Sequence, residues 1–181
     1  MPDPSAAAAG SHLTLVLLAG PPGSGKTTLS QAICMALRWP VIDKDTLKST
    51  MLDIGIGEDS AGRASYELML ALGRDLLQGQ RLSVILDSPA SYPVVVDRAA
   101  ALALDTGAAF RVVLCLADRD VRTARLASRI ALPSQWAVDT SNIEDGHREW
   151  IEFVPSDTLI VRGEYPLSEQ LDQVLAYIQG R

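Results

Sequence analysis

The eight residues from Gly20 to Thr27, GPPGSGKT, have the types and spacing of a phosphate-binding loop. They match the Walker A pattern G-x-x-x-x-G-K-[ST], whose glycines let backbone N–H groups approach phosphate oxygens closely. Lys26 can reach the outer phosphates of a nucleotide, and the Thr27 hydroxyl can ligate Mg²⁺. We therefore expect a Mg²⁺-bound nucleotide to contact nine consecutive residues: Gly20, Pro21, Pro22, Gly23, Ser24, Gly25, Lys26, Thr27 and Thr28.

Two carboxylates follow the short apolar run PVI that begins at Pro40. Asp43 and Asp45 leave the predicted sheet edge close to where the outermost phosphate of the nucleotide would lie. A phosphoryl acceptor needs a hydroxyl held in line and a carboxylate that takes its proton, and we expect Asp45 to be that base. Lys48 lies one helical turn beyond Asp45 and is predicted to touch the acceptor or the transferring phosphoryl group. The alternative is that either aspartate only caps the following helix.

Further charged residues complete the predicted site. Asp87 ends the apolar run VILD, and an aspartate beside a phosphate loop can hold the hydration shell of Mg²⁺; its alternative is a polar turn or a helix cap. Arg122, Arg125 and Arg129 are spaced three and four residues apart, which predicts that they share one helical face. Arginine stabilises charge on a transferring phosphoryl group, and we expect Arg129 to do so. The alternative is a solvated face with ion pairs to neighbouring aspartates.

The elements that must position these residues alternate along the chain. Apolar runs predict strands at 13–19, 41–43, 83–87, 110–116 and 158–161. Helical stretches are predicted at 26–37, 60–79, 93–106, 119–130 and 168–179. This alternation predicts an α/β fold in which a parallel sheet carries helices on both faces. Ligands of such sheets bind beyond the carboxyl ends of the strands, where the phosphate loop, Asp45 and Asp87 all fall.

One long irregular segment, residues 131–149, interrupts this alternation. It is polar and has little periodicity, and such segments inside a domain are usually functional or disordered. Its position after an arginine-bearing helix predicts a lid. Asp43, Arg63, Tyr66 and Trp136 are weaker candidates for contacts with the acceptor. Trp136 lies within the lid, and its alternative is an anchor that packs the lid down.

Charge and composition limit the classes of binding partner that we expect. The 181 residues carry a formal net charge of −6, which counts against a grip on a nucleic-acid backbone. No apolar run approaches the ~18 residues of a membrane span. Residues 1–12 lack a basic stretch and are predicted to be a disordered tail. Cys34 and Cys115 lie in apolar surroundings, as buried thiols in a reducing cytoplasm do. We expect one cytoplasmic domain over residues 13–181, with no obligate protein partner.

Four motifs together resemble the small P-loop kinases that are grouped as AAA-type ATPase-like proteins. They are GPPGSGKTT at the phosphate loop, IDKD after the second strand, VILDS on the third strand and RLASR on the arginine helix. That group includes chloramphenicol phosphotransferase, zeta toxin, gluconate kinase and the polynucleotide kinase domain. The resemblance implies a P-loop NTPase fold with five parallel strands and a mobile lid, and ATP as the donor. It also implies a base and basic partner at Asp45 and Lys48, with Arg125 near the adenine and Arg129 near the phosphates.

The function that these residues favour is transfer of the γ-phosphoryl group of Mg-ATP to a hydroxyl of a small molecule. Asp45 would accept the hydroxyl proton, while Lys26, Lys48 and Arg129 would balance charge on the phosphoryl oxygens. Closure of residues 131–149 would exclude water. Two alternatives stay open. One is a kinase of nucleic-acid 5′-hydroxyl ends, and the other is a regulatory module that binds or slowly hydrolyses ATP without an acceptor.

Overall fold

A computed structural model describes residues 13–135 and 147–180, with only the backbone described at 147–149. Five strands are present in this part of the chain: β1 (Thr14–Ala19), β2 (Val41–Asp43), β3 (Val84–Asp87), β4 (Ala109–Leu116) and β5 (Leu159–Arg162). The helices between and after them are α1 (Lys26–Leu37), α2 (Lys44–Asp53), α3 (Glu58–Arg74), α4 (Pro93–Thr106), α5 (Arg119–Ser128), α6 (His147–Phe153) and α7 (Leu167–Ile178). The predicted tail, residues 1–12, lies outside the described residues.

All five strands belong to one parallel sheet in the order β2-β3-β1-β4-β5. The central strand β1 is buried along its whole length, as expected for a parallel strand covered on both faces. In the register of the sheet, Asp87 lies opposite both Leu18 and Asp43. The carboxyl ends of β1, β2 and β3 therefore meet at one edge, and the sheet confirms the predicted five-stranded α/β fold.

Alternate residues of the central strands face two separate apolar clusters. Leu15 and Leu17 of β1 pack in one cluster, with residues of α3 and α4. Val16 and Leu18 pack in the other, with residues of α1 and α7. This alternation follows from the two-residue period of a strand, and it places helices on both faces of the sheet as predicted.

Two helices lie where the sequence did not delimit one. The first, α2, begins directly after β2, with no loop between them. Asp43 is its N-cap, and Asp43 Oδ1 accepts from the backbone N–H of Asp45 at 2.7 Å and of Thr46 at 3.4 Å. The second, α6, starts inside the segment predicted to be irregular.

The described part of the predicted lid is short. A 3₁₀ turn, Pro133–Gln135, follows α5, and the rest of the segment from residue 136 to residue 146 lies outside the described residues. In the described ranges, no helix combines the length and the apolar character that crossing a membrane requires.

Candidate active site

The phosphate loop joins β1 to α1 through three glycines with positive φ. These angles are +131° at Gly20, +79° at Gly23 and +101° at Gly25, in or near the left-handed region that other residues rarely adopt. A side chain at Gly20 would collide with the carbonyl oxygen of Cys115. Ser24 Oγ is buried in the loop and has no hydrogen-bond partner among the described residues. An open helix N-terminus and an unpartnered buried hydroxyl fit a phosphate, since both offer hydrogen-bond donors.

Lys26 is buried at the start of α1 and is held by the loop itself. Lys26 Nζ donates to the carbonyl oxygens of Gly20 at 2.7 Å and Pro21 at 2.9 Å. Burial lowers the pKa of Lys26 below its ordinary value, and the negative charge of Asp87 opposes this shift. The ammonium therefore lies at the carboxyl edge of the sheet, where the loop and Asp87 come together.

Asp87, at the end of β3, is 3% exposed and surrounded by hydroxyl groups. Asp87 Oδ2 accepts from Ser30 Oγ at 2.9 Å. Burial raises the pKa of Asp87, while Lys26 and hydrogen bonds from Thr27 and Ser30 oppose the rise. The Thr27 hydroxyl and the Asp87 carboxylate are hard oxygen donors side by side, which fits Mg²⁺. The described residues hold no cluster of three His, Cys, Asp or Glu side chains, so such an ion would also need phosphate oxygens and water.

Asp45 lies in the first turn of α2 with both carboxylate oxygens engaged. Asp45 Oδ1 is 2.7 Å from Lys44 Nζ, and Asp45 Oδ2 accepts from Gln135 Nε2 at 2.9 Å. Burial raises the pKa of Asp45, but the Lys44 ammonium and the Gln135 amide outweigh burial, so the pKa lies below its ordinary value. Asp45 is thus ionised at neutral pH and can accept a hydrogen bond from a hydroxyl.

Two cavities are lined by Lys44, the ion-pair partner of this carboxylate, but only one of them is lined by Asp45 itself. The first, which we call the phosphate cavity, has a volume of about 430 Å³ and contains Asp45 and Asp87. Six of the nine predicted loop residues line it: Pro22, Gly23, Gly25, Lys26, Thr27 and Thr28. The second, which we call the outer cavity, has a volume of about 580 Å³ and lies between α2, α3 and the start of α4. Lys44 and Pro89 line both cavities, so they form the boundary between them.

Two arginines of α5, Arg122 and Arg125, lie toward the phosphate loop. Arg122 is buried, and Arg122 Nε donates to the carbonyl oxygen of Pro22 at 3.0 Å. Arg125 lines the phosphate cavity and donates to the carbonyl oxygens of Gly23 at 3.3 Å and Gly163 at 2.7 Å. Arg122 and Arg125 therefore both contact the loop backbone, and the sequence did not indicate the contact at Arg122. Because α5 ends at Ser128 and Arg129 has an extended backbone, the helical face predicted for all three arginines does not include Arg129.

Arg129 follows α5 and lines the phosphate cavity. It is half-buried and makes no hydrogen bond or ion pair with the other residues that the structure describes. Burial lowers the pKa of Arg129, and the carboxylate of Asp45 opposes this shift. Its guanidinium is therefore available to a ligand in the phosphate cavity.

Three of the remaining predicted residues line the outer cavity, and Asp43 lines the phosphate cavity. Lys48 lines the outer cavity, where its ammonium is ion-paired with Glu58. Arg63 and Tyr66 also line the outer cavity. Burial raises the pKa of Tyr66, and a hydrogen bond with Ser88 opposes the rise. Asp43 lines the phosphate cavity but acts as the cap of α2, which is the alternative that its position left open. Trp136 lies outside the described residues.

Sequence reasoning missed two polar neighbours of Asp45, namely Lys44 and Gln135. Lys44 stands between two aspartates in the sequence, and that position was an available signal of an ion pair. Gln135 lies in a segment without periodicity, 90 residues from Asp45, and nothing in the sequence indicated their contact.

The fold and the phosphate loop define a P-loop NTPase. The sequence profile of the AAA domain family matches residues 15–150, which is most of the chain, so the protein belongs to that family. A proposed kinase from Chloroflexus aurantiacus, solved as a crystal structure, is 25% identical. It aligns with a TM-score of 0.75 over 94% of this chain and 99% of that one. Together with the family match, this likeness supports membership of the small P-loop kinases.

The APS kinase CysC of Mycobacterium tuberculosis, solved in complex with AMPPNP and APS, shares the fold. It is 18% identical and aligns with a TM-score of 0.62 over 94% of this chain and 99% of that one. Among curated proteins, the uncharacterized protein Rv2004c of Mycobacterium tuberculosis is 31% identical over 126 residues, or 64% of this chain. The chain spans about a quarter (25%) of the length of the curated relatives it matches.

Proposed function

We propose that this protein transfers the γ-phosphoryl group of ATP to a hydroxyl of a small molecule bound in the outer cavity. The observation that carries this proposal is the position of Asp45. Its carboxylate lies in the phosphate cavity, and its ion-pair partner Lys44 lines the outer cavity as well. Phosphoryl transfer to an alcohol requires a base in the donor site that is close to the acceptor, and the contact of Asp45 with a residue shared by both cavities supports this arrangement.

In the proposed reaction, the loop backbone and Lys26 bind the phosphates of ATP. Thr27 and Asp87 would hold Mg²⁺, which would supply positive charge against the phosphate oxygens. The acceptor oxygen forms a bond to the γ-phosphorus while the bond between that phosphorus and ADP breaks. The hydroxyl proton passes to Asp45. Because the transition state is loose, the main task of Asp45 is to orient the hydroxyl, and Arg129 stabilises the charge on the phosphoryl oxygens.

Water must stay out of the site during transfer, because it would otherwise take the phosphoryl group. Ser134 and Gln135 line the phosphate cavity and reach the first turn of α2. They belong to the segment that we expect to act as a lid. Their contacts with Asp45 support a role for this segment in covering the site.

Charges around the outer cavity support a small molecule over a nucleic-acid strand. Its lining cations are Lys44, Lys48, Arg63 and Arg98, and its lining anions are Glu58, Asp59 and Glu67. Cations and anions are thus nearly balanced, whereas a channel for a nucleic-acid backbone is predominantly positive. The presence of a second cavity of this size, which shares Lys44 with the phosphate cavity, also favours an acceptor over a module that only binds ATP.

The test is Mg²⁺-dependent ATP turnover with a pooled library of hydroxylated small molecules. ADP formation and new phosphorylated masses are measured for the wild type, Asp45→Asn and Asp43→Asn. We expect a phosphorylated product that Asp45→Asn reduces by roughly 10²-fold or more, with ATP affinity retained. Asp43→Asn is the matched control, since asparagine still caps a helix. Equal slow hydrolysis by wild type and Asp45→Asn, with no product, would favour the ATP-binding module instead.

A further inference from the structure

Lys44 is a buried lysine whose ammonium is fixed from two sides. Its side chain is 9% exposed, and its Nζ lies 2.7 Å from Asp45 Oδ1. The same Nζ lies 5.4 Å from the centre of the Tyr66 ring, at a cation–π distance. Burying an ammonium is costly unless a partner compensates for the lost water, and here a carboxylate and an aromatic face do so. The position of this ammonium is therefore well defined.

Lys48 is the other lysine on the same helix, and its surroundings differ. The Lys48 side chain is itself only 14% exposed, but its partner Glu58 is 57% exposed, and Lys48 does not line the phosphate cavity. Exposed ion pairs are weak because water and salt screen them. Lys44 instead touches the carboxylate that faces the phosphate cavity. Of the two lysines, only Lys44 is placed to act directly on the predicted base.

The ion pair also orients the carboxylate. Lys44 occupies one lone-pair site of Asp45 Oδ1, and Gln135 occupies one of Asp45 Oδ2. An ionised carboxylate has about four such sites, so a site on each oxygen is left for an incoming hydroxyl. A carboxylate held at both oxygens cannot rotate freely, and the direction from which it accepts a proton is fixed.

We propose that Lys44 is the positioning residue of the reaction, holding Asp45 ionised and oriented at the boundary between the two cavities, and that Lys48 does not share this role. This inference rests on the proposed function. Four titratable groups from different elements act on Asp45 electrostatically: Lys44 of α2, Lys26 of α1, Tyr66 of α3 and Arg129 after α5. Lys44 is the partner in direct contact, so its removal has the largest effect on the carboxylate.

The first measurement needs no acceptor. The side-chain carboxyl carbon of Asp45 is followed by NMR across pH in the wild type, Lys44→Met, Lys44→Arg and Lys48→Met. Loss of the Lys44 charge removes the largest effect that opposes burial, although Gln135 and Lys26 still act, so we expect the pKa of Asp45 to rise in Lys44→Met. Lys44→Arg keeps the charge and serves as a second variant if Lys44→Met folds poorly. Lys48→Met is the matched control and leaves the titration unchanged. An unchanged titration in Lys44→Met, or a larger shift in Lys48→Met, overturns the inference.

The second measurement is the pH dependence of phosphoryl transfer. We expect Lys44→Met to lower kcat by roughly tenfold to a hundredfold, and to move the acidic limb of the profile to higher pH. ATP affinity stays within about twofold, and Lys44→Arg recovers part of kcat. A shifted Asp45 titration with unchanged kcat makes the pair structural and overturns the inference. If the wild type phosphorylates no acceptor, the proposed function fails and the inference with it. The NMR titration then shows separately whether the ion pair exists.

Discussion

Gln135 Nε2 donates to Asp45 Oδ2 at 2.9 Å, across 90 residues of sequence. Its neighbour Ser134 donates from its hydroxyl to the backbone oxygen of Asp45 at 3.2 Å and also bonds with Ser49. The turn that follows α5 is thus attached to the predicted base and to the helix that carries it. Any movement of this turn changes both the cover over the phosphate cavity and the environment of the Asp45 carboxylate.

Gln135→Ala is expected to increase ATP hydrolysis in the absence of acceptor. A single hydrogen bond contributes about 0.5–1.5 kcal/mol, so its loss should loosen the cover and raise hydrolysis by roughly two- to tenfold. ADP release under Mg²⁺-ATP measures the effect. Gln80→Ala is the control, because Gln80 makes the same kind of bond, at 2.8 Å, to exposed Asp75 far from the site. Hydrolysis that stays at the wild-type rate would separate Gln135 from water exclusion.

Arg129→Ala is expected to reduce the rate of phosphoryl transfer with little loss of ATP binding. Removing a charged donor that acts on the transition state typically costs 10²–10³-fold in kcat. Single-turnover transfer and equilibrium binding of an ATP analogue distinguish the two effects. The control is Arg119→Ala, an exposed arginine at the start of the same helix. A fall in binding equal to the fall in kcat would instead assign Arg129 to ground-state binding.

Gly163→Ala is expected to weaken ATP binding while the protein stays folded. A Cβ at Gly163 would lie 2.6 Å from the carbonyl oxygen of Ser24. The alanine side chain would therefore push the phosphate loop away from the turn that follows β5. Displacement of the loop should raise the Kd for ATP by about tenfold, because the contacts depend on close geometry. Calorimetry measures the Kd, and thermal unfolding checks the fold. Gly57→Ala, where a Cβ meets nothing within 4 Å, should bind ATP as the wild type does.

The two ion pairs of α2 are expected to differ in their effect on stability. Asp45→Ala leaves the Lys44 ammonium buried without its partner and should cost about 1–3 kcal/mol at pH 7. Glu58→Ala removes an exposed partner of Lys48 and should cost under about 1 kcal/mol. Urea unfolding of both variants provides the comparison. Equal losses would show that burial does not strengthen the pair of Lys44 and Asp45.

The contribution of Asp45 should also depend on pH in a defined direction. Its folded pKa lies below its ordinary value, so its stabilising effect is complete above the unfolded pKa of about 3.9 and is lost as pH falls through the folded pKa. The difference in unfolding free energy between wild type and Asp45→Ala should therefore shrink in strong acid. A difference that grows as pH falls would contradict the depressed pKa.

Much of the fold could be predicted from the sequence because its strands are continuous apolar runs. The runs predicted at 41–43 and 83–87 agree with β2 and β3 within one residue, and the helix predicted at 93–106 agrees with α4. The bounds of α2 could not be predicted, since KDTLKSTMLD is polar and its start depends on the cap at Asp43. Helical spacing favoured Lys48 as the neighbour of Asp45. In the structure the Lys48 ammonium pairs with Glu58, because the spacing of residues along a helix does not determine the direction of a long, flexible side chain.

In the enzyme that we propose, the direct connection of β2 to α2 makes the position of the base independent of the residues that select the acceptor. Because no loop lies between Asp43 and Lys44, the sheet itself fixes where the predicted base stands relative to β3 and the phosphate loop. Most walls of the outer cavity come instead from α3 and the start of α4, which contribute nothing to the lining of the phosphate cavity. In the proposed enzyme, residues on α3 other than Tyr66, which contacts Lys44, could thus be exchanged to change which alcohol is accepted, while the geometry of the donor site is retained.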